Sequence, residues 1–142
     1  MRATRWLFIA LILAACGGAP VAASPTPQAA MDGFKAAGLP VGTPRPVTRD
    51  EMGLAPYMHQ DGMLAEVTGG TCTAARPCRL RVLAFKDEAD LKRVEGFYVE
   101  AGRQSAAFGS HVHRRGLLLM QVSSDLDPPT ADRFKAALDG LK

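Results

Sequence analysis

Tryptophan is almost missing from this 142-residue chain: the single copy, Trp6, lies at the N-terminus, and only Tyr57 and Tyr98 join it as large amphipathic aromatics. An aromatic platform for sugars or bases is hard to build from that set. A charge excess of one sign is also lacking. The chain holds 17 Lys and Arg against 14 Asp and Glu, and two of the bases, Arg2 and Arg5, precede Cys16. From Cys16 onward 15 bases therefore face 14 acids, a net charge of +1 that gives no case for a nucleic-acid partner. Catalytic signatures are missing too: there is no G-x-S-x-G elbow, no phosphate loop and no H-E-x-x-H pair. Ser110 beside His111 does not make a nucleophile and base, since neighbours on a strand face opposite ways. The expectation is a protein that is not an enzyme and needs no cofactor.

The N-terminus carries a positive signal. Arg2 and Arg5 precede an apolar run from Trp6 to Ala15. A bilayer-spanning helix needs about 20 apolar residues, so this run is too short. A basic start, a short apolar stretch and small residues after it read as a secretory signal peptide over residues 1–15. The run ends Leu13-Ala14-Ala15-Cys16-Gly17-Gly18, which resembles the lipobox of bacterial lipoproteins. The resemblance implies cleavage before Cys16, acylation of its sulfur and membrane attachment through the lipid. With glycine rather than aspartate after the cysteine, it implies the outer membrane of a host that has one. Ordinary cleavage after Val21-Ala22-Ala23 is the alternative and would release a product without Cys16. Residues 17–28, uncharged and rich in Gly, Ala, Pro, Ser and Thr, read with Cys16 as a flexible tether.

Residues 29–142 suffice for one domain and argue against two. Two cysteines remain there, Cys72 and Cys78, and an even count in an exported domain reads as a disulfide. Their spacing is not that of redox C-x-x-C motifs, so a structural staple is expected.

Periodicity predicts a helix over 28–37 capped by Gly38, and a helical turn at Thr48–Leu54 with Thr48 and Glu51 as a capping box. Strands are expected at Met63–Thr68, Arg79–Phe85, Ala106–Arg114 and Leu117–Val122. One helix follows Asp87, with Leu91, Val94, Tyr98 and Ala101 as its stripe and Gly102 at its end. Another follows Asp127, burying Ala131, Phe134, Leu138 and Leu141. The fold class is α+β in the order α-ββ-α-ββ-α, with an antiparallel sheet of about four strands and the helices packed on one face. RLRVLAFKDEADLKRV and LLLMQVSSDLDPPTADRF share this pattern and raise the question of an internal duplication. FKAAGLPVG, GLAP and the stretch from FGSHVH to LLLMQV resemble small bacterial envelope lipoproteins, a likeness that carries no activity with it.

Two residue sets have chemistry to offer. His111 and His113 fall on one face of a strand and, with His59 or the nearby Met52, Met58 and Met63, form a candidate copper or zinc site. Exposed histidines and core-filling methionines are the plain alternative. Arg76, Arg79 and Arg81 beside the Cys72–Cys78 loop form a candidate basic patch for an anionic partner, or merely a solvated sheet face. The leading expectation is a lipid-anchored, non-catalytic binding module of the cell envelope, with an envelope protein or a small ligand as partner and metal binding as the alternative.

Overall fold

A computed structural model describes residues 24–142; residues 1–15, Cys16 and the tether up to Ala23 lie outside the described residues. Among the described residues each of the three α-helices begins at a side-chain cap that satisfies an amide left over at the helix start. Thr26 Oγ1 accepts from Ala29 N (3.1 Å) ahead of α1 (Pro27–Ala36). Asp87 accepts from Asp90 N (2.9 Å) ahead of α2 (Glu88–Gln104), and Asp127 accepts from Thr130 N (3.0 Å) ahead of α3 (Pro128–Asp139). α1 therefore starts inside the segment read from sequence as tether, and Pro27 is already buried. Gly38, at φ 69°, closes α1, with Leu39 N donating back to Phe34 O (3.0 Å).

The strands are β1 (Arg45–Pro46), β2 (Asp61–Val67), β3 (Cys78–Ala84), β4 (Ser110–Arg115) and β5 (Leu118–Ser123). They form one antiparallel sheet in the order β1-β2-β3-β5-β4. The four long strands are those expected; the fifth, β1, is a two-residue edge strand whose Pro46 sits where a missing amide donor is tolerated.

The helices do not share one face, as sequence reasoning expected. α1 and α3 cover the face carrying Ala65, Val67, Leu80, Val82, Leu118, Met120 and Val122. α2 covers the opposite face, where Leu91, Val94 and Tyr98 meet Leu64, Leu83 and Leu119. The reason lies in β3 and β5. Val82-Leu83 and Leu118-Leu119-Met120 put apolar side chains on both sides of the pleat, leaving neither side for water. Val47, Met52 and Ala55 of the β1–β2 connection fill the part of the α2 face that one helix cannot cover. Because α2 and α3 follow their hairpins onto opposite faces, the likeness of the two sequence halves is not a structural repeat.

Two other boundaries differ from expectation. Residues 106–108 form a 3-10 turn rather than the start of β4. Gly102 lies within α2 and does not end it; a Cβ there would stand 3.4 Å from Gly109 Cα, so it serves the close approach of that turn.

Cys72 and Cys78 are bonded across the β2–β3 connection, with Cα atoms 5.2 Å apart, and both are buried against the α1–α3 face. Both cores, the whole sheet and this bond lie within residues 24–142, so that segment folds on its own. It should unfold in one transition. Reducing the bond, or replacing both cysteines by serine, should cost about 2 kcal/mol, as closing so short a loop predicts. That is roughly a 10 °C fall in the melting temperature of a domain this size, readable by circular dichroism.

Candidate functional site

The α2 face of the sheet changes character along its length. Leu64, Leu83 and Leu119 make one end apolar. At the other end the same pleat presents Arg81 from β3, Gln121 from β5 and Ser110 from β4. Arg81 and Gln121 are direct cross-strand partners. Arg81 Nη1 donates to Gln121 Oε1 (2.8 Å), and Gln121 Nε2 donates to Ser110 Oγ (2.9 Å). The remaining Arg81 donors, Nε and Nη2, reach the backbone oxygen of Glu51. Glu51 is placed by the predicted capping contact, its carboxylate accepting from Thr48 N (2.9 Å), and by an ion pair with Arg45.

A groove of about 640 Å³ opens over this polar end. Its walls are Met52–Leu54 on one side, Phe97, Tyr98 and Ala101 of α2 on another, and Ala107 and Phe108 of the 3-10 turn. Ser110, Gln121 and Ser123 of the sheet and Glu100 and Gln104 of α2 supply the polar lining. Leu54 and Phe108 are 90% and 64% exposed, an unusual state for large apolar side chains that flank one opening. Gly109 holds the 3-10 turn in place: a Cβ there would lie 2.5 Å from Ser124 Oγ and 3.1 Å from Ala106 O. Apolar walls, a few convergent polar groups and this volume are the attributes of a small-ligand site.

Two polar groups at the groove are under tension. The Tyr98 hydroxyl is buried without a hydrogen-bond partner, which costs about 1–3 kcal/mol for such a group. Burial pushes its pKa up, against the pull of the neighbouring Arg81 charge. Burial also pulls the Arg81 guanidinium down from its ordinary value. Among the described residues no carboxylate lies within ion-pair distance of Arg81.

The residues singled out from sequence are placed differently. His111 and His113 do share a face, the one under α3, on the edge strand β4. Each is already engaged: His111 Nε2 donates to Leu126 O (2.8 Å) and His113 Nε2 donates to the Asp139 carboxylate (2.7 Å). Only the Nδ1 atoms are left for a metal. His59 packs beside Gly62 and Leu83 on the α2 face, with Tyr57 against its ring at 4.5 Å. It is three strand spacings from β4, about 14 Å or more, and on the other side of the sheet, so it cannot complete a site with the pair. The methionines also divide, Met52 and Met58 to the α2 face and Met63 to the α1–α3 face. No group of three or more His, Cys, Asp or Glu side chains among the described residues is placed to hold a metal.

The arginine patch is divided as well. Arg76 and Arg79 are exposed, but Arg81 turns into the α2 layer and serves the groove floor. Sequence reasoning read Arg81 as a solvated position and Gln121 as one more residue of a central strand. The available signal was Gln121 itself, a lone amide in an apolar run that is only 5% exposed and so requires a partner.

Comparisons with protein-family models, with curated proteins and with solved structures return no match for this chain. No helix among the described residues is long and apolar enough to cross a membrane.

Two predictions follow from these contacts. Arg81→Met leaves the buried Gln121 carbonyl without its donor and should cost about 1–3 kcal/mol in urea unfolding. Adding Gln121→Leu should recover part of that loss, because the orphaned amide goes with it; a strictly additive second loss would show that the two side chains are not coupled. The second concerns acid. Hydrogen bonds from Thr130, His113 and the Thr48 amide hold the Asp127, Asp139 and Glu51 carboxyls below their ordinary range. Such groups bind protons more readily in the unfolded chain, so their contribution is complete above about pH 5 and is lost as pH falls through the folded-state values. The urea midpoint should drop on acidification below about pH 4, and Asp139→Asn should flatten that drop.

Proposed function

We propose that this chain is a lipid-anchored module of the bacterial cell envelope that binds a ligand without transforming it, and that the groove over Arg81, Gln121 and Ser110 is its binding site. The observation that carries this reading is the groove: apolar walls, two exposed apolar side chains at its mouth, and a floor of hydrogen-bonding groups fixed by Arg81. The anchoring half rests on the lipobox-like residues ending at Cys16.

The geometry suits a tethered binder. Ser24, Pro25 and Thr26, where the tether leads in, line a hollow with Ala84, Phe85 and Leu118, at the end of the sheet where β3 finishes and β5 begins. The groove lies at the other end, beside Ser110 and Ser123. β5 alone spans about 17 Å between the two. The chain thus enters the folded domain at the end of the sheet opposite the groove, which leaves the groove clear of the proposed attachment point.

Two measurements test this. Residues 24–142 should enhance the fluorescence of the neutral apolar dye N-phenyl-1-naphthylamine, and Leu54→Asp with Phe108→Asp should abolish the effect without lowering the melting temperature. In cells, Cys16→Ser should move the chain from the membrane to the soluble fraction. Dye binding that ignores both groove substitutions would overturn the site, and a Cys16→Ser chain that stays with the membrane would overturn the anchor.

A further inference from the structure

The order of donors and acceptors in the groove floor says what kind of head group belongs there. Arg81 can only donate, so the Gln121 oxygen must face it, and the Gln121 amide nitrogen must face Ser110. Ser110 Oγ is thereby used as an acceptor, and its hydroxyl hydrogen points elsewhere. Among the described residues no acceptor takes that hydrogen, and Ser110 lines the groove. Tyr98, in the α2 wall of the same groove and 8% exposed, has a buried hydroxyl with no partner. The floor thus offers one unused donor, the Ser110 hydroxyl, with the unpartnered Tyr98 hydroxyl buried in the wall beside it. Behind it stands the half-buried guanidinium of Arg81, bonded only to neutral oxygens. The positive charge reaches the groove through the polarised Gln121–Ser110 chain. Two carboxylates stand near this arrangement and both are engaged: Glu51 pairs with Arg45, and Glu100, which lines the groove, accepts from Gln104 Nε2 (3.2 Å) and lies 3.8 Å from Arg103.

Resting on the reading of the groove as the binding site, we infer that its ligand is an amphiphile with an apolar chain and a single carboxylate, the chain lying between Leu54, Phe97 and Phe108 and the carboxylate accepting from Ser110 in front of the Arg81 charge. A neutral alcohol would meet the same walls and gain nothing from the Arg81 charge. An ammonium head would meet a donor and a cation. The volume of about 640 Å³ falls within the range of small-molecule sites, so the occupant is a ligand rather than a partner domain.

The test is calorimetric titration of residues 24–142 with three amphiphiles of one chain length: decanoate, decanol and decylammonium, each below its aggregation concentration. Decanoate should bind about tenfold tighter than decanol or more, as a charge-assisted hydrogen bond requires, and decylammonium should bind weakest. Ser110→Ala should erase most of the preference for decanoate over decanol by weakening decanoate far more than decanol. Tyr98→Phe, which removes only the unpartnered buried hydroxyl, should raise the melting temperature of the ligand-free protein. Equal binding of decanoate and decanol, lost in Phe108→Asp, would overturn the head-group assignment and leave the groove as the site. Failure of all three to bind would overturn both. A carboxylate preference that persists in Ser110→Ala would place the head group elsewhere and overturn the inference.

Discussion

Strands β3 and β5 lie side by side at the centre of the sheet with apolar side chains on both faces, and the rest of the architecture answers that condition. A strand pair of this kind must be covered twice. α1 and α3 supply one layer, with the Phe34 and Phe134 rings meeting edge to face at 5.0 Å. α2 and the 47–55 connection supply the other. Each fully buried Leu, Val or Met contributes about 1.5–3 kcal/mol, so leaving either face open would remove several such terms together.

Against that apolar centre, the polar row Arg81–Gln121–Ser110 stands out as an exception with a cost. An arginine drawn into a helix–sheet layer loses hydration, and here neutral oxygens rather than a carboxylate compensate it. Well-packed apolar residues of similar volume often serve stability as well as, or better than, a buried charged group. A half-buried arginine with no carboxylate within ion-pair distance, an unpartnered buried Tyr98 hydroxyl and an open apolar groove occur at one place. The proposed ligand recognition rests on that coincidence. The anchor proposed at Cys16 and the entry of the chain at the opposite end of the sheet fit the same picture.

The histidine pair shows why a pattern of residue types is weak evidence for a metal. Alternation correctly puts His111 and His113 on one strand face, but it says nothing about what lies across from them. Leu126 O and Asp139 come from the segment before α3 and from its last turn, and they take the Nε2 hydrogens that sequence reasoning left free. His59 lies beyond two intervening strands on the far side of the sheet, a separation that depends on strand order. The arginines teach the same lesson. Arg79 and Arg81 share a face in any strand, yet one is solvated and the other is covered because the Asp50–Met52 turn and α2 reach only the second.

Local chemistry was legible in the amino-acid order. Asp87 and Asp127 cap helices, Gly38 ends one, Glu51 turns back to Thr48, and the two domain cysteines pair, because each of these depends on neighbours a few residues away. The α+β class and the four long strands came from periodicity, which records whether a residue is buried and not by what. Tertiary structure alone decided that the helices divide between two faces, that Arg81 points inward, and that residues 52–54, 97–101, 107–110 and 121–123 meet around one groove. Those outcomes are set by contacts between segments tens of residues apart, and no local pattern encodes which distant segment will arrive.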